Sequence, residues 1–187
     1  MQEALLIQHC IKGDRAAQRR LFDTYYKYVY TICYRYVNHH QDAEDVVSEV
    51  FRRVFKNLHK VKVNNSVAQG LKKWIQTIAI NESIRFLNKR QPIDYTEDLF
   101  LEHNLLSKSE DEVSSTISDS DIEAAKQIVN AMPTGYRTIF LLNIVEGLSH
   151  TEIAEHLGIS RNTSKSQMLK ARKYLKNKLN KDASRQI

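Results

Sequence analysis

Between Leu148 and Lys178 the chain reads LSHTEIAEHLGISRNTSKSQMLKARKYLKNK, and this stretch restricts the fold more than any other. Ser149 has the side chain of a helix N-cap, and Glu152 three residues on completes a capping box. Ile153, Ala154 and Leu157 form the apolar stripe of a short helix, and Gly158 can take the left-handed conformation that ends it. Ile159 plugs the corner, Ser160 caps a second helix, and small Ala154 lets the two helices cross closely. The pattern predicts a helix-turn-helix, whose second helix enters the major groove of DNA. From Arg161 to Lys181 the chain has eight Lys/Arg and no Asp or Glu, which suits a helix lying against phosphates. Taken alone, the segment leaves open a basic amphipathic helix with a solvated face.

The rest of the chain is helical by period. Leu5, Leu6, His9 and Cys10 mark a short first helix ending at Gly13. A longer one follows from about Arg15, with Leu21, Phe22, Tyr25, Val29, Ile32, Cys33 and Tyr36 on a broad face. Tyr25, Tyr26, Tyr28, Tyr30, Tyr34 and Tyr36 crowd this helix, a spacing that favours core and helix–helix contact over base stacking. The next helix starts near Gln41, carries Asp42, Glu44 and Asp45 in its first turn, and buries Val46, Val47, Val50, Phe51, Val54 and Phe55. His59–Gly70 breaks the period and reads as a loop. Leu71–Arg90 resumes it through Leu71, Trp74, Ile75, Ile78, Ala79 and Leu87, which favours core packing for Trp74, and Pro92 marks its end. Helix returns at Asp121–Met132, breaks at Pro133, and runs from Thr134 to Glu146 with Ile139, Phe140, Leu142 and Ile144 as core. With 5 Gly and 2 Pro in 187 residues, and no credible strand, the expected class is all-α.

Charge divides the chain more sharply than its net value of +6. Residues 1–90 carry 16 basic and 8 acidic side chains, residues 91–123 carry 1 and 10, and residues 124–187 carry 11 and 4. Two basic blocks around an acidic, Ser-rich segment predict two nucleic-acid-facing domains joined by a flexible linker. The expected boundaries are 1–92, linker 93–119, 120–181, and a tail at 182–187. Cys10 and Cys33 sit among apolar helical residues and read as reduced, buried thiols of a cytoplasmic protein. No segment approaches membrane-spanning length and no signal-peptide pattern opens the chain.

In this order the pieces resemble the extracytoplasmic-function group of bacterial sigma factors, small members of the sigma-70 family, over nearly the whole length. DAEDVVSEVF (Asp42–Phe51) is similar to the family's region 2.2, LKKWIQTIAINESIRFLNKR (Leu71–Arg90) to the helices that handle the promoter −10 element, and Met132–Leu175 to region 4, which reads the −35 element. Two departures stand out. Ser164 lies where the family commonly has a branched apolar residue, so its core role passes to Met168 or is lost. Lys165 and Gln167 replace frequent arginines, and Gln pairs with adenine where Arg pairs with guanine.

The resemblance implies a protein that binds core RNA polymerase and reads a promoter. Asp45, Ser48, Glu49 and Asp42 would face the clamp helices of the β′ subunit, although acids there also cap their own helix. Asn81 and the His59–Gly70 loop would capture an unstacked −10 base. Lys60, Lys62, Lys72, Lys73, Arg85, Lys89 and Arg90 would hold phosphates. At −35, Arg161, Asn162, Thr163, Lys165, Ser166, Gln167, Lys170 and Arg172 cover the start and exposed face of the recognition helix. Lys165, Ser166 and Gln167 are the first choices for reading bases, Lys170 and Arg172 for phosphates. The second domain would rest on the β flap, and an anti-sigma factor is a partner left open.

The acidic linker could equally thread a positive RNA channel or serve as a solubilising tether. No cofactor or metal is expected: the histidines lack carboxylate or cysteine partners at ligand spacing. An ordinary helix-turn-helix regulator with a sensing first block is the rival, and the second basic surface at Leu71–Arg90 argues against it.

Overall fold

The computed structural model describes residues 2–61, 67–90, 93, 95 and 119–183, and these divide between two compact units, 1–92 and 93–187. Lys62, the Leu99–Leu106 apolar knot and most of the acidic segment lie outside the described residues. All the regular structure among the described residues is helical, and no helix is long and apolar enough to cross a membrane.

In the first unit, α1 (Gln2–Ile11) leads into α2 (Arg15–Val37), whose N-cap Asp14 accepts the amides of Ala16 and Ala17. Asn38, in the left-handed conformation at φ 57°, ends α2, and α3 (His40–Asn57) begins within two residues. A 3₁₀ turn (Leu58–Lys60) closes α3, and α4 spans Val67–Arg90. Helices α2, α3 and α4 pack on one another around Leu21, Val29, Ile32, Tyr36, Val47, Val50, Val54, Leu71, Ile75 and Ala79. Burying a set of this size stabilises the unit chiefly through the hydrophobic effect, at about 1.5–3 kcal/mol for each large side chain. Cys10 and Cys33 are free and buried, and burial pushes the Cys33 thiol up to about 12.

The expected loop is shorter than the period suggested, because α4 starts at Val67 and carries Gly70 inside it. One interior glycine costs a helix only about 1 kcal/mol, and Ala and Gln just before it are good helix formers. The tyrosines of α2 divide by face: Tyr25 and Tyr36 enter the core, while Tyr26, Tyr30 and Tyr34 stack in a half-buried row. His40 closes that row, its Nδ1 at 2.6 Å from the Tyr30 hydroxyl.

The second unit contains α5 (Asp119–Asn130), α6 (Thr134–Phe140), a π-helical turn (Leu141–Val145), α7 (His150–Leu157) and α8 (Arg161–Ala183). Helix α8 packs against α5, α6 and α7 through Met168 and Ala171. Arg137 is buried, and its Nη1 donates to the Asn130 and Met132 carbonyls at 2.9 and 3.4 Å, satisfying the C-terminus of α5. The Tyr174 hydroxyl donates to the Ala131 carbonyl at 2.9 Å, so α8 grips the same corner. Tyr95, expected in the linker, belongs to this unit, and burial pushes its phenol up to about 12.

The helix from Thr134 does not run regularly to Glu146. The amide of Glu146 donates to the Leu141 carbonyl five residues back, at 3.1 Å, and this wider turn rotates the end of the segment off the α-helical phase. Ile144, expected in the core, is consequently 53% exposed, beside exposed Val145.

Candidate nucleic-acid interface

The helix-turn-helix is built by the local devices its sequence carries. Glu152 Oε2 accepts from the Ser149 amide and hydroxyl at 2.8 and 2.7 Å, and Ser149 Oγ accepts the Glu152 amide at 3.3 Å. Gly158 sits at φ 67° and its amide returns to the Ala154 carbonyl. Ser160 Oγ accepts the Thr163 amide at 2.9 Å and starts α8. Ile153, Ala154 and Ala171 are buried, so small side chains let the helices approach closely.

Helix α8 turns Arg161, Asn162, Lys165 and Arg172 fully outward, with Ser166 and Lys170 half-exposed. Thr163 and Gln167 do not share that face. They are buried, Gln167 to 2% exposure, together with Ser164 and Met168. Successive helical residues lie about 100° apart, so Lys165, Ser166 and Gln167 cannot all point at a groove. Positions 163, 164, 167, 168 and 171 instead form the seam against the other helices. Ser164 keeps its place in that seam through a polar contact, its Oγ at 2.9 Å from His150 Nδ1, while Met168 supplies apolar packing.

On the first unit, Lys73, Thr77, Asn81 and Arg85 recur every four residues along α4, and all are exposed. Lys60, Lys72, Lys89 and Arg90 are also exposed, with Lys72 Nζ 4.7 Å from the centre of the Tyr28 ring. Trp74 is half-buried between this row and the core.

Several of these cations already hold carboxylates. Asp42 pairs with Arg90. Glu49 accepts two hydrogen bonds from Arg52 at 2.7 and 2.6 Å, one from Arg53 at 3.4 Å and one from Arg85 at 3.5 Å. The Arg52 guanidinium beside it, helped by Arg53, holds the Glu49 carboxyl at about 2. Behind them lies Glu82, 4% exposed, which receives Arg53 Nε at 2.8 Å and Arg85 Nε at 3.4 Å. Of the four residues expected to face polymerase, Asp45 and Ser48 therefore remain exposed, whereas Asp42 and Glu49 are partly buried and paired across α3 and α4.

Glu82, Arg53 and His150 were not among the expected site residues. Glu82 had a legible signal: it is the single acid between Val67 and Arg90, three residues before Arg85. His150 had none beyond its position just after the cap.

Comparison with known proteins agrees with both units. The family model for Sigma-70 region 2 matches residues 21–93, and that for Sigma-70, region 4 matches residues 122–175. The ECF RNA polymerase sigma factor SigW of Bacillus subtilis (strain 168) is 27% identical over 180 residues, covering 92% of this chain and 94% of SigW. RNA polymerase sigma factor SigV of the same organism is 29% identical over 153 residues, covering 82% and 85%. Among solved structures, the sigma factor RpoE of Bartonella quintana, in complex with the anti-sigma factor NepR, shares the fold with a TM-score of 0.50 at 20% identity, covering 87% and 96%. Two matched regions in this order, on a capped helix-turn-helix and a basic three-helix core, place the chain in the sigma-70 family as a non-enzymatic sigma factor of the extracytoplasmic-function group.

Proposed function

We propose that this sigma factor binds core RNA polymerase through the outer face of α3, reads the −10 element with α4, and reads the −35 element with α8, in the cytoplasm. Residues 1–92 take the first two tasks and residues 120–181 the third. The observation that carries this reading is the division of α8: Thr163, Ser164, Gln167 and Met168 seat the helix, while Arg161, Asn162, Lys165 and Arg172 face outward. A basic helix fixed in this way offers amide and cationic groups to base edges and phosphates.

Asp45 and Ser48 are the exposed polymerase-facing groups, the Ser48 hydroxyl donating to the Glu44 carbonyl of its own helix, and Asn81 is the exposed amide for an unstacked −10 base. Lys60, Lys72, Lys73 and Lys89 supply phosphate contacts, with Arg85 and Arg90 contributing once they leave their carboxylates. The β flap and an anti-sigma factor are further proposed partners, supported by family membership. Run-off transcription with core polymerase tests the function. Transcripts should start from a promoter carrying both elements and should require the chain. Tight, specific binding of the isolated chain to duplex promoter in physiological salt, with no transcript from core polymerase, would favour a stand-alone regulator.

A further inference from the structure

His150 opens α7 and is half-buried against the recognition helix. Its Nδ1 lies 2.9 Å from the hydroxyl of Ser164, a residue with no exposed surface. A serine hydroxyl donating to Nδ1 leaves the ring hydrogen on Nε2, and Nε2 has no partner among the described residues. The charged groups of α8 that face this ring are Lys165, Arg172 and Arg161. On its own helix, the Glu152 carboxylate is occupied by the Ser149 amide and hydroxyl. The π-helical turn, which also packs on α7, has no charged side chain.

We propose that His150, its ring held by Ser164, is a DNA-backbone contact of the −35 surface and takes up a proton when a phosphate binds beside it. This rests on the −35 role given to α8 above. Burial, then Lys165, Arg172 and Arg161, hold the free imidazole below its ordinary value, so it is neutral near pH 7. The cations that repel a proton from this ring attract a phosphate. A phosphate seated among them offsets their charge and favours the imidazolium: the proton enters at Nδ1, the Ser164 hydroxyl turns to accept from it, and the Nε2 hydrogen bond to the phosphate becomes charge-assisted. A group whose pKa is higher in the complex than in the free protein makes binding tighter as pH falls.

The test uses polymerase reconstituted with the full chain on a promoter bearing both elements, at fixed ionic strength. Promoter affinity is measured at about pH 7.5 and about pH 6 for wild type, His150→Gln, Ser164→Ala and the double variant. Wild type should tighten by about threefold or more relative to His150→Gln, which keeps a polar side chain that does not titrate. Ser164→Ala should weaken wild type yet cost little in the His150→Gln background, since the serine acts through the ring. Equal pH ratios for wild type and His150→Gln overturn the assignment, and additive losses overturn the positioning role of Ser164. Transcription by the wild-type holoenzyme at about pH 7.5 is scored separately. Its absence refutes the sigma-factor reading, whereas intact transcription with superimposable pH profiles refutes the His150 contact alone.

Discussion

Arg53 on α3 places its Nε 2.8 Å from a carboxylate oxygen of Glu82 on α4, and Glu82 is almost wholly buried. The carboxylate has no water to return to, so it depends on Arg53 and on Arg85 at 3.4 Å. The pair fixes how the two helices that carry the polymerase-facing acids and the −10-facing amide lie against each other.

Removing Arg53 leaves the buried Glu82 carboxylate with exposed Arg85 alone. Arg53→Ala should lower the stability of the first unit by about 2–4 kcal/mol, toward the usual cost of breaking a buried ion pair. Arg85→Ala should cost well under 1 kcal/mol, because Arg85 is exposed. Urea denaturation of the full chain, monitored by a probe in the first unit, compares them. Equal losses would show that the Arg53–Glu82 contact does not brace α3 against α4.

Glu49 gives the acid side of the stability curve a definite sign. Its folded pKa of about 2 lies below the ordinary value of 4.5, so its contribution is complete above about pH 4.5 and disappears as pH falls towards 2. Solvent screening at this partly exposed site keeps the effect modest. Glu49→Gln should therefore lose less stability than wild type between about pH 5 and 3 in denaturation midpoints. A steeper loss in the variant contradicts the pairing.

Lys165 and Gln167 should separate function from folding. Lys165→Ala removes an exposed cation, leaves thermal stability unchanged, and should weaken −35-dependent promoter binding by about 1–3 kcal/mol if the lysine meets a base edge. Gln167→Ala opens the seam of α8 and should destabilise the second unit by about 1–3 kcal/mol. Thermal melts and promoter binding by the holoenzyme read both. An altered −35 preference in Gln167→Ala at full stability would return this residue to the reading face.

Asn81→Ala should impair open-complex formation and spare −35 recognition, because the amide stands on the exposed row of α4. Permanganate footprinting of melted thymines tests this. A defect that vanishes on a template already melted at −10 marks strand separation as its task, whereas a persistent defect marks reading of the extruded base.

The outline of this protein was legible without coordinates. The Ser149–Glu152 capping box, the Gly158 stop, the Ser160 cap and the helical periods of α2, α3 and α8 all act within four or five residues, so their residue types and spacing suffice. The position of Lys165 near the start of the recognition helix came from the same local geometry, whereas Asn81 came only from the resemblance of Leu71–Arg90 to the −10 region. What the tertiary structure decided depends on residues far apart in the chain: Asp42 with Arg90, Glu49 with Arg85, Arg53 with Glu82, and His150 with Ser164. Helical spacing names the residues on a face but not which face meets another helix. Gln167 went inward and Ile144 outward for that reason, one by the crossing of α8 over its neighbours, the other by one widened turn at Leu141–Val145. Packing of distant helices, and the carboxylates and cations it brings together, is a property of the assembled units rather than of any segment within them.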